Sequence, residues 1–312
     1  MNLEHKKVLV TGGAGFIGSH LVDLLVEKGA IVTVVDNLST GFLPNLDTSK
    51  DKITFKHVDL LDAQKLDEIV KDNQIIFHLA ANADVPRSVN EPKFDFDNNV
   101  IGSFHLLKSA VDANVEKFIF ASSAAVYGNP VYTPIDEKHP TNPISPYGAS
   151  KLAIEHLGRS YKNTYGLPFV TMRIFNTYGE RQPRYVMYDL LRKLYKNNTH
   201  LEVLGTGKQL RDYSYVLDTA KAFVLAAEKA QAGDIYNIAG GNPVSIQDVV
   251  TYILETLDSK ETKVTYTNKS WKGDISILSA NIDKIKNDLQ FKPSIDLHLG
   301  IKRLHEYLRH HS

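Results

Sequence analysis

Residues 11 to 18 read Thr-Gly-Gly-Ala-Gly-Phe-Ile-Gly and directly follow the apolar run Val8-Leu9-Val10. The glycines fit two known spacings, G-x-x-G-x-x-G as Gly12, Gly15 and Gly18, and G-x-G-x-x-G as Gly13, Gly15 and Gly18. At a strand-to-helix junction, a side chain would obstruct the tight turn, the approach of a pyrophosphate or the packing of the helix on the strand. The N–H groups at the helix N-terminus would bind the anion. The stretch therefore predicts a dinucleotide site; the alternative is a glycine-rich turn without function.

The residues after the glycines complete a βαβ unit. Three leucines keep helical spacing, Gly29 is typical of a helix C-terminus, and Ile31–Val35 is typical of a buried parallel strand. This strand ends in Asp36, which lies 18 residues past Gly18. A carboxylate at that point can accept hydrogen bonds from the adenosine ribose and repel a 2′-phosphate. The unit therefore favours NAD over NADP.

Composition limits the possible partners. The 312 residues are enough for one large α/β domain or one and a half, and the 36 acidic and 36 basic residues cancel, which argues against nucleic acid or an anionic membrane as a partner. Residues 1–7 contain no apolar signal segment and no stretch approaches 18 apolar residues, so we expect a cytoplasmic protein. The sequence contains no cysteine, and its 12 histidines show no metal-ligand spacing, so we expect no metal site.

Strand and helix patterns alternate through the first half of the chain. Strands are predicted at 53–58, 75–79, 117–121 and 168–174, and helices at 63–72, 95–113 and 146–164. This alternation predicts an α/β fold with a Rossmann, doubly wound parallel sheet of at least six strands. From about residue 176 the elements are shorter, as at 201–203 and 235–238, and polar loops separate them. We interpret this part as a smaller C-terminal α/β subdomain that binds the substrate.

A tyrosine and a lysine lie at the start of the helix predicted at 146–164. Tyr147 and Lys151 are four residues apart and share one helix face, and Ser123 ends a predicted strand beside the expected nicotinamide site. Abstraction of a hydroxyl proton needs a base, yet a free tyrosine has a pKa of about 10. The charge of Lys151 would lower the pKa of Tyr147, and Ser123 would hydrogen-bond the reacting oxygen. The alternative is a Tyr–Lys pair on a solvated helix face.

Several segments together resemble the extended short-chain dehydrogenase/reductase family, and within it the UDP-glucose 4-epimerases and their uronic-acid relatives. These segments are Thr11–Gly18, His78–Ala81, Ser122–Gly128, the Tyr147/Lys151 pair and Arg173–Asn176. The resemblance covers nearly the whole chain. It implies an NAD-binding domain over 1–175, which also receives about 213–240, and a nucleotide-sugar subdomain mainly over 176–312. It also implies a homodimer that forms through the helices at 95–113 and 146–164.

The resemblance further implies which residues contact each ligand. The catalytic residues are Ser123, Tyr147 and Lys151. NAD would contact Gly12, Gly15, Phe16, Ile17, Gly18, Asp36, Asn37, Ser39, Thr40, Gly41, Asp59, Leu60, Leu79, Ala80, Ala81, Asn99, Ser122, Tyr147, Lys151 and Phe175. A UDP-sugar would contact Val85, Ser123, Ala124, Asn176, Val186, Leu201, Val203, Arg211 and Asp274. A guanidinium suits a diphosphate because it binds phosphate oxygens in a bidentate fork, although a surface ion pair is the alternative for Arg211.

One departure from the family pattern bears on the reaction. Sugar-nucleotide 4,6-dehydratases carry Asp-Glu after the catalytic hydroxyl residue, and related decarboxylases carry a Glu, whereas this chain has Ala124 and Ala125. Because alanine cannot move a proton, the resemblance implies C4 epimerisation of a UDP-sugar through hydride removal, rotation of a 4-keto intermediate and hydride return. The alternatives are a nucleotide-sugar 4-reductase or dehydrogenase, another NDP-sugar epimerase, a 4,6-dehydratase and a non-catalytic NAD sensor.

Other departures lie on the substrate side. Trp271-Lys272-Gly273-Asp274 stands where many members have Arg-x-Gly-Asp, and Tyr185 stands where the best-studied epimerases have an Asn near the nucleotide. Arg181 and Arg184 follow Gly179 in a loop similar to the family's Y-G-P-R-Q. Leu278 falls near a position that controls access of a C2 acetamido group. The sugar and the base therefore stay open, among glucose, acetylglucosamine and glucuronate forms.

Overall fold

The computed structural model describes residues 1–269 and 275–311. The strands are β1 (Lys7–Thr11), β2 (Ile31–Asp36), β3 (Ile53–His57), β4 (Ile75–His78), β5 (Lys117–Ser123), β6 (Phe169–Ile174), β7 (Asn176–Tyr178), β8 (His200–Val203), β9 (Leu210–Arg211), β10 (Tyr213–Tyr215), β11 (Ile235–Ile238), β12 (Val244–Ser245), β13 (Lys263–Tyr266) and β14 (Ile277–Leu278). The helices are α1 (Phe16–Glu27), α2 (Ala63–Val70), α3 (Val85–Asn90), α4 (Pro92–Phe96), α5 (Gly102–Asp112), α6 (Pro146–Tyr165), α7 (Val186–Lys196), α8 (Val216–Lys229), α9 (Ile246–Thr256), α10 (Asp283–Leu289) and α11 (Leu297–His310). A π-helical turn (Asp97–Ile101) joins α4 to α5.

A parallel sheet of seven strands forms the centre of the molecule, in the order β11-β6-β5-β4-β1-β2-β3. The prediction of a doubly wound parallel sheet is confirmed, and the seventh strand is β11, which pairs with β6 from Ile235↔Thr171 to Ile238↔Ile174. The short segment 235–238 therefore belongs to the main sheet, although it follows much of the C-terminal unit in sequence. All four residues of β4 are buried, as expected of a strand that is covered on both faces.

Alternation along the strands produces two apolar layers. Val8 and Val10 pack in the layer that contains α1 and α8, whereas Leu9 between them packs with α2, α5 and α6 on the opposite face. Phe118 and Ile119 divide in the same way. Successive side chains of a strand point to opposite faces, so a run of consecutive apolar residues can serve both layers. This arrangement leaves the carboxyl ends of the strands free to form a site.

The C-terminal unit has an apolar core of its own. Helices α7, α9 and α11 enclose this core, and the parallel pair β8–β13 contributes Leu201 and Val203 to it. Strand β9 lies between antiparallel β12 and parallel β14 in a second small sheet. Among residues 1–269 and 275–311, no helix is both long enough and apolar enough to cross a membrane.

Helix α6 has clear local signals at both ends. Pro146 occupies its first turn, where the missing N–H costs nothing, and the Ser145 side chain accepts a hydrogen bond from Gly148 N at 3.1 Å. Gly166 ends the helix with φ +74°. At Gly158 a Cβ atom would lie 2.3 Å from the ring of Phe169, so the absence of a side chain lets α6 approach β6 closely. Helix α6 therefore begins at a defined residue and packs closely on β6.

Candidate active site

A cavity of about 580 Å³ lies at the carboxyl ends of the central strands, where open α/β sheets bind ligands. It is bounded by the main sheet on one side and by the loop before α7 on the other. Most residues expected to contact ligands line it: Gly12, Gly15, Phe16, Ile17, Gly18, Asp36, Asn37, Ser39, Thr40, Gly41, Asp59, Leu60, Leu79, Ala80, Ala81, Val85, Ser122, Ser123, Tyr147, Lys151, Phe175, Asn176 and Val186. The fold thus brings these widely separated positions to one site.

The glycines of the loop between β1 and α1 have different tasks. A Cβ atom on Gly12, which has φ +70°, would lie 2.6 Å from Ala80 N, and a Cβ atom on Gly18 would lie 2.1 Å from Gly12 O. Both glycines therefore allow backbone segments to touch. A Cβ atom on Gly15 would meet Gly12 O at 3.1 Å, and Gly15 lines the cavity together with the first turn of α1. The N–H groups of that turn have no intrahelical partner, so they suit an anionic group.

Asp36 is held firmly at the end of β2. Its carboxylate accepts hydrogen bonds from Ala14 N at 3.0 Å and from Leu38 N at 2.8 Å, and it is only 7% exposed. A Cβ atom on Gly41 would lie 2.7 Å from the carboxylate, so only a glycine fits against it without a shift. Burial raises the pKa of Asp36, while the two N–H donors lower it. The position and chemistry of this carboxylate fit the ribose of an adenosine group.

Tyr147 and Lys151 form the reactive end of the cavity with Ser123, the last residue of β5. The Lys151 ammonium donates a hydrogen bond to Ala121 O at 2.9 Å and lies 5.9 Å from the centre of the Tyr147 ring. Burial raises the pKa of the Tyr147 phenol above its ordinary value, and the Ser123 side chain acts in the opposite direction. Burial lowers the pKa of Lys151 to about 8. The site can therefore hold a charged lysine beside a buried phenol near neutral pH.

A buried ion pair fixes α6 to the sheet one turn beyond Lys151. Arg173 of β6 donates to both carboxylate oxygens of Glu155, at 3.0 and 2.7 Å, and the Ser122 hydroxyl donates to the same group at 2.5 Å. Arg173 also donates to the Tyr127 hydroxyl at 3.0 Å. A bidentate pair of this kind fixes both partners in orientation. The Arg-Ile-Phe-Asn segment thus contributes to positioning of the helix that carries the reactive residues.

His78, at the end of β4, joins Thr11 of β1 to Ser103 of α5. Its Nδ1 lies 2.8 Å from Thr11 Oγ1 and its Nε2 lies 2.7 Å from Ser103 Oγ, which donates to Asn99 O. Since the Ser103 proton is directed to Asn99, the Nε2–H of His78 donates to Ser103 and Nδ1 accepts from Thr11. Burial lowers the pKa of His78 to about 3, so the ring is neutral in this role.

Two buried neutral histidines predict acid sensitivity of the fold. Burial also lowers the pKa of His20 to about 4, and an unfolded histidine has a pKa of about 6.5. Below pH 6.5 the unfolded chain binds protons at these histidines that the folded chain excludes. The contribution of the two neutral histidines to the free energy of unfolding is therefore complete above that pH and decreases as the pH drops toward 4. Each histidine contributes up to about 1.4 kcal/mol per pH unit. Urea unfolding at pH 7, 6 and 5 measures the slope, and His78→Gln should make it shallower; equal slopes would contradict the assignment.

The loop 179–185 contributes contacts that sequence reasoning left open. Arg184 lines the cavity and pairs with Asp84, the N-cap residue of α3, at 2.8 Å. Tyr185 donates to Ala83 O at 3.1 Å and has φ +81°, an uncommon conformation for a tyrosine. Arg181 pairs instead with Asp23 of α1 at 2.8 Å. The similarity to Y-G-P-R-Q indicated this loop, but no local signal identified its partners, which are 100 or more residues away in the sequence.

Some predicted contacts do not reach the cavity wall. Leu201 and Val203 were expected at the substrate, but both are buried in the core of the C-terminal unit, because β8 directs alternate side chains inward. Ala124 is buried beneath the site, and Asn99 lies behind it, where it bonds Asn82 and Asp95. Arg211 lies on β9 and donates to Leu210 O. Asp274 lies outside the described residues, as do Trp271 and Lys272.

The glycine loop after the first parallel strand and the Ser–Tyr–Lys set beside it define a short-chain dehydrogenase/reductase. The family model described as GDP-mannose 4,6 dehydratase matches residues 9–304. The chain belongs to this extended branch of the short-chain dehydrogenases/reductases, and the predicted resemblance is confirmed.

Solved structures resemble the chain over almost its entire length. The UDP-N-acetylglucosamine 4-epimerase from Methanobrevibacter ruminantium M1, in complex with UDP-N-acetylmuramic acid, is 35% identical with a TM-score of 0.93, over 99% of this chain and 100% of that chain. The UDP-glucose 4-epimerase from Thermotoga maritima with UDP-glucose is 35% identical with a TM-score of 0.92, over 98% and 99%. The Thermus thermophilus UDP-glucose 4-epimerase complex with NAD is 32% identical with a TM-score of 0.86, over 97% and 99%.

Proposed function

We propose that the protein is an NAD-dependent epimerase that inverts C4 of a UDP-sugar. The observation that carries the proposal is the set Ser123, Tyr147 and Lys151 at the cavity, next to Ala124 and Ala125, which offer no acid or base. Solved 4-epimerases of similar sequence and fold support it, since they are complexes with UDP-sugars or NAD. The family model takes its description from a dehydratase, but elimination needs an additional proton carrier, which positions 124 and 125 do not supply.

The residues of the cavity fit NAD. In this proposal the loop at Gly15 and the first turn of α1 bind the pyrophosphate, and Asp36 binds the adenosine ribose. Thr40, Gly41, Asp59 and Leu60 line the same end of the cavity. Bound NAD would supply a hydride acceptor and donor: the hydrogen of C4 would leave with both bonding electrons and return with them to the other face, so the reaction has no net oxidation.

Side chains at the reactive end of the cavity accept and return the proton of the sugar hydroxyl. Tyr147, as phenolate, accepts the proton of the C4 hydroxyl and returns it to the keto oxygen at the end of the cycle. In this proposal the Lys151 ammonium, which lies 5.9 Å from the centre of the Tyr147 ring, stabilises the phenolate by its charge. Ser123 donates a hydrogen bond to the reacting oxygen. Inversion requires the 4-keto sugar to present its other face before the hydride returns.

In this proposal the substrate binds at the side of the cavity that faces the C-terminal unit. We assign Val85, Asn176 and Val186, which line this side, to the UDP-sugar. Arg184 lines it as well, and its guanidinium suits a diphosphate. We also propose Arg211 as a second diphosphate ligand, which requires its guanidinium to turn from Leu210 O toward the cavity.

The test is a direct search for inverted product. The purified protein is incubated separately with UDP-glucose, UDP-N-acetylglucosamine and UDP-glucuronate, and the sugar protons are followed by NMR. We expect the C4 epimer of at least one substrate without net consumption of added NADH. A 4-keto-6-deoxy product would identify a dehydratase. Consumption of NADH on a 4-keto sugar without epimerisation would identify a reductase, and either result overturns the proposal.

The organisation of the chain follows the same proposal. We infer an NAD-binding domain over 1–175 with about 213–240, and a nucleotide-sugar subdomain mainly over 176–312. We also propose a cytoplasmic location, where NAD and nucleotide sugars are available.

We propose a homodimer that forms through α4–α5 and α6. The exposed rings of Phe96 and Phe104 on that side support it. Light scattering after gel filtration measures the mass in solution; a monomer would contradict the dimer.

A further inference from the structure

Asp95 of α4 is a carboxylate that is fully buried behind the active site. One oxygen accepts hydrogen bonds from Asn82 Nδ2 and Asn99 Nδ2, both at 2.9 Å. The other accepts from the Ser150 hydroxyl at 2.7 Å. Within residues 1–269 and 275–311, all of its hydrogen-bond donors are neutral. A buried anion is costly unless a positive charge lies near, so the position of Asp95 calls for a cation.

A buried cation beside this cluster is Lys151, which directly follows Ser150 in α6 and is only 4% exposed. Asp95 raises the pKa of Lys151 and so opposes the effect of burial on the ammonium. Glu155 acts in the same direction, but its carboxylate is already paired with Arg173. His78 is neutral, since burial lowers its pKa to about 3. Among the groups that face Lys151, Asp95 is therefore the anion whose charge is not already taken by an arginine.

We propose that Asp95 is a positioning residue of the active site, which keeps Lys151 in its charged form and holds the start of α6 in place. Its charge acts on Lys151 through space, and its bond to Ser150 fixes the turn that carries Tyr147 and Lys151. The inference rests on the proposed function, because it gives Lys151 its task in proton transfer. It assigns Asp95 no contact with the substrate.

Charge and hydrogen bonding can be separated by substitution. Asp95→Asn removes the charge and nearly keeps the shape, and Asp95→Ser removes the charge with a smaller side chain if the amide does not fit. Ser150→Ala removes a hydrogen bond but leaves the charge. Asp97→Asn is the matched control, because Asp97 lies two residues away and pairs with the exposed Lys93.

The first measurement does not depend on turnover. In protein labelled with carbon-13 lysine, the Cε signal of Lys151, identified by its loss in Lys151→Arg, reports the protonation of the amine against pH. We expect Asp95→Asn and Asp95→Ser to lower the titration midpoint by about one pH unit, because removal of an opposite charge that favours the ammonium lowers its pKa. Ser150→Ala and Asp97→Asn should leave the midpoint unchanged. An unchanged midpoint in a folded Asp95 variant, or an equal change in Asp97→Asn, would overturn the proposal.

The second measurement is the pH profile of epimerisation. Loss of the Asp95 charge should move the alkaline limb of kcat to lower pH by the same amount, about tenfold in rate above pH 8. A residue that only supported the fold would lower kcat without moving the limb. If the wild-type protein converts no UDP-sugar, the proposed function fails, whereas the titration of Lys151 still decides the role of Asp95.

Discussion

Replacement of Tyr147 by phenylalanine is expected to lower the turnover of a UDP-sugar by about 1,000-fold, within the range for loss of a general acid–base group. The substitution removes one hydroxyl from a side chain that is 9% exposed, so the packing of α6 should be unchanged. The proton of the C4 hydroxyl would then have no acceptor at the site. Initial rates of epimerisation, measured with saturating substrate, give the ratio of kcat values.

The matched control is Tyr165→Phe. Tyr165 is the last residue of the same helix and is 59% exposed, so its substitution should leave kcat unchanged. The NAD content of purified Tyr147→Phe should stay close to that of the wild type, because the glycine loop and Asp36, which bind the pyrophosphate and the adenosine ribose in our proposal, are untouched. A Tyr147→Phe enzyme within threefold of wild-type turnover would exclude Tyr147 as the base.

Replacement of Gly18 by alanine is expected to lower the free energy of unfolding by roughly 3 kcal/mol, the upper part of the range for overpacking. The added Cβ atom would lie 2.1 Å from Gly12 O, and a backbone atom cannot turn aside as a flexible side chain can. Helix α1 or the loop must therefore move. Since the same loop borders the cavity, we also expect weaker NAD binding. Urea unfolding and a fluorescence titration with NAD measure the two effects.

Gly166→Ala is the control for this experiment. Gly166 has φ +74°, so alanine there is strained by about 1 kcal/mol, but the space around it is open. Its substitution should leave NAD binding unchanged, because it lies at the far end of α6. If Gly18→Ala costs no more than Gly166→Ala, close packing of α1 on the loop is not the reason for the glycine.

The sequence predicts the fold well where its signals are local. The glycine loop, the apolar strands and the start of the helix predicted at 146–164 each depend on about ten residues or fewer, and the structure has each of them. It also predicts the reactive residues, because a helix turn joins Tyr147 to Lys151. Strand β11 is different. Its four residues do not indicate which edge of which sheet they join, and the structure shows that they pair with β6.

The contacts that hold the active-site residues in place could not be predicted from the sequence. Asp95 meets Ser150 across 55 residues, and Arg184 meets Asp84 across 100. Such contacts leave no periodic pattern, since each depends on the packing of two elements that are distant in the chain. The substrate contacts predicted at Leu201 and Val203 show the converse. Their apolar alternation fits a half-buried strand, and only the structure shows that the buried side faces the core of the C-terminal unit.

The position of β11 has a consequence for any attempt to divide the chain. A fragment that stopped at residue 175 would expose the edge of β6 to other chains and leave α1 without α8, on which it packs. It would also leave the buried Lys117 ammonium without Ala227 O and Ala230 O, the carbonyls near the end of α8 that accept its hydrogen bonds. Such a fragment would tend to aggregate rather than bind a dinucleotide. The chain enters the C-terminal unit and then returns to add β11 to the main sheet. The two units therefore cannot be separated by a single cut in the sequence.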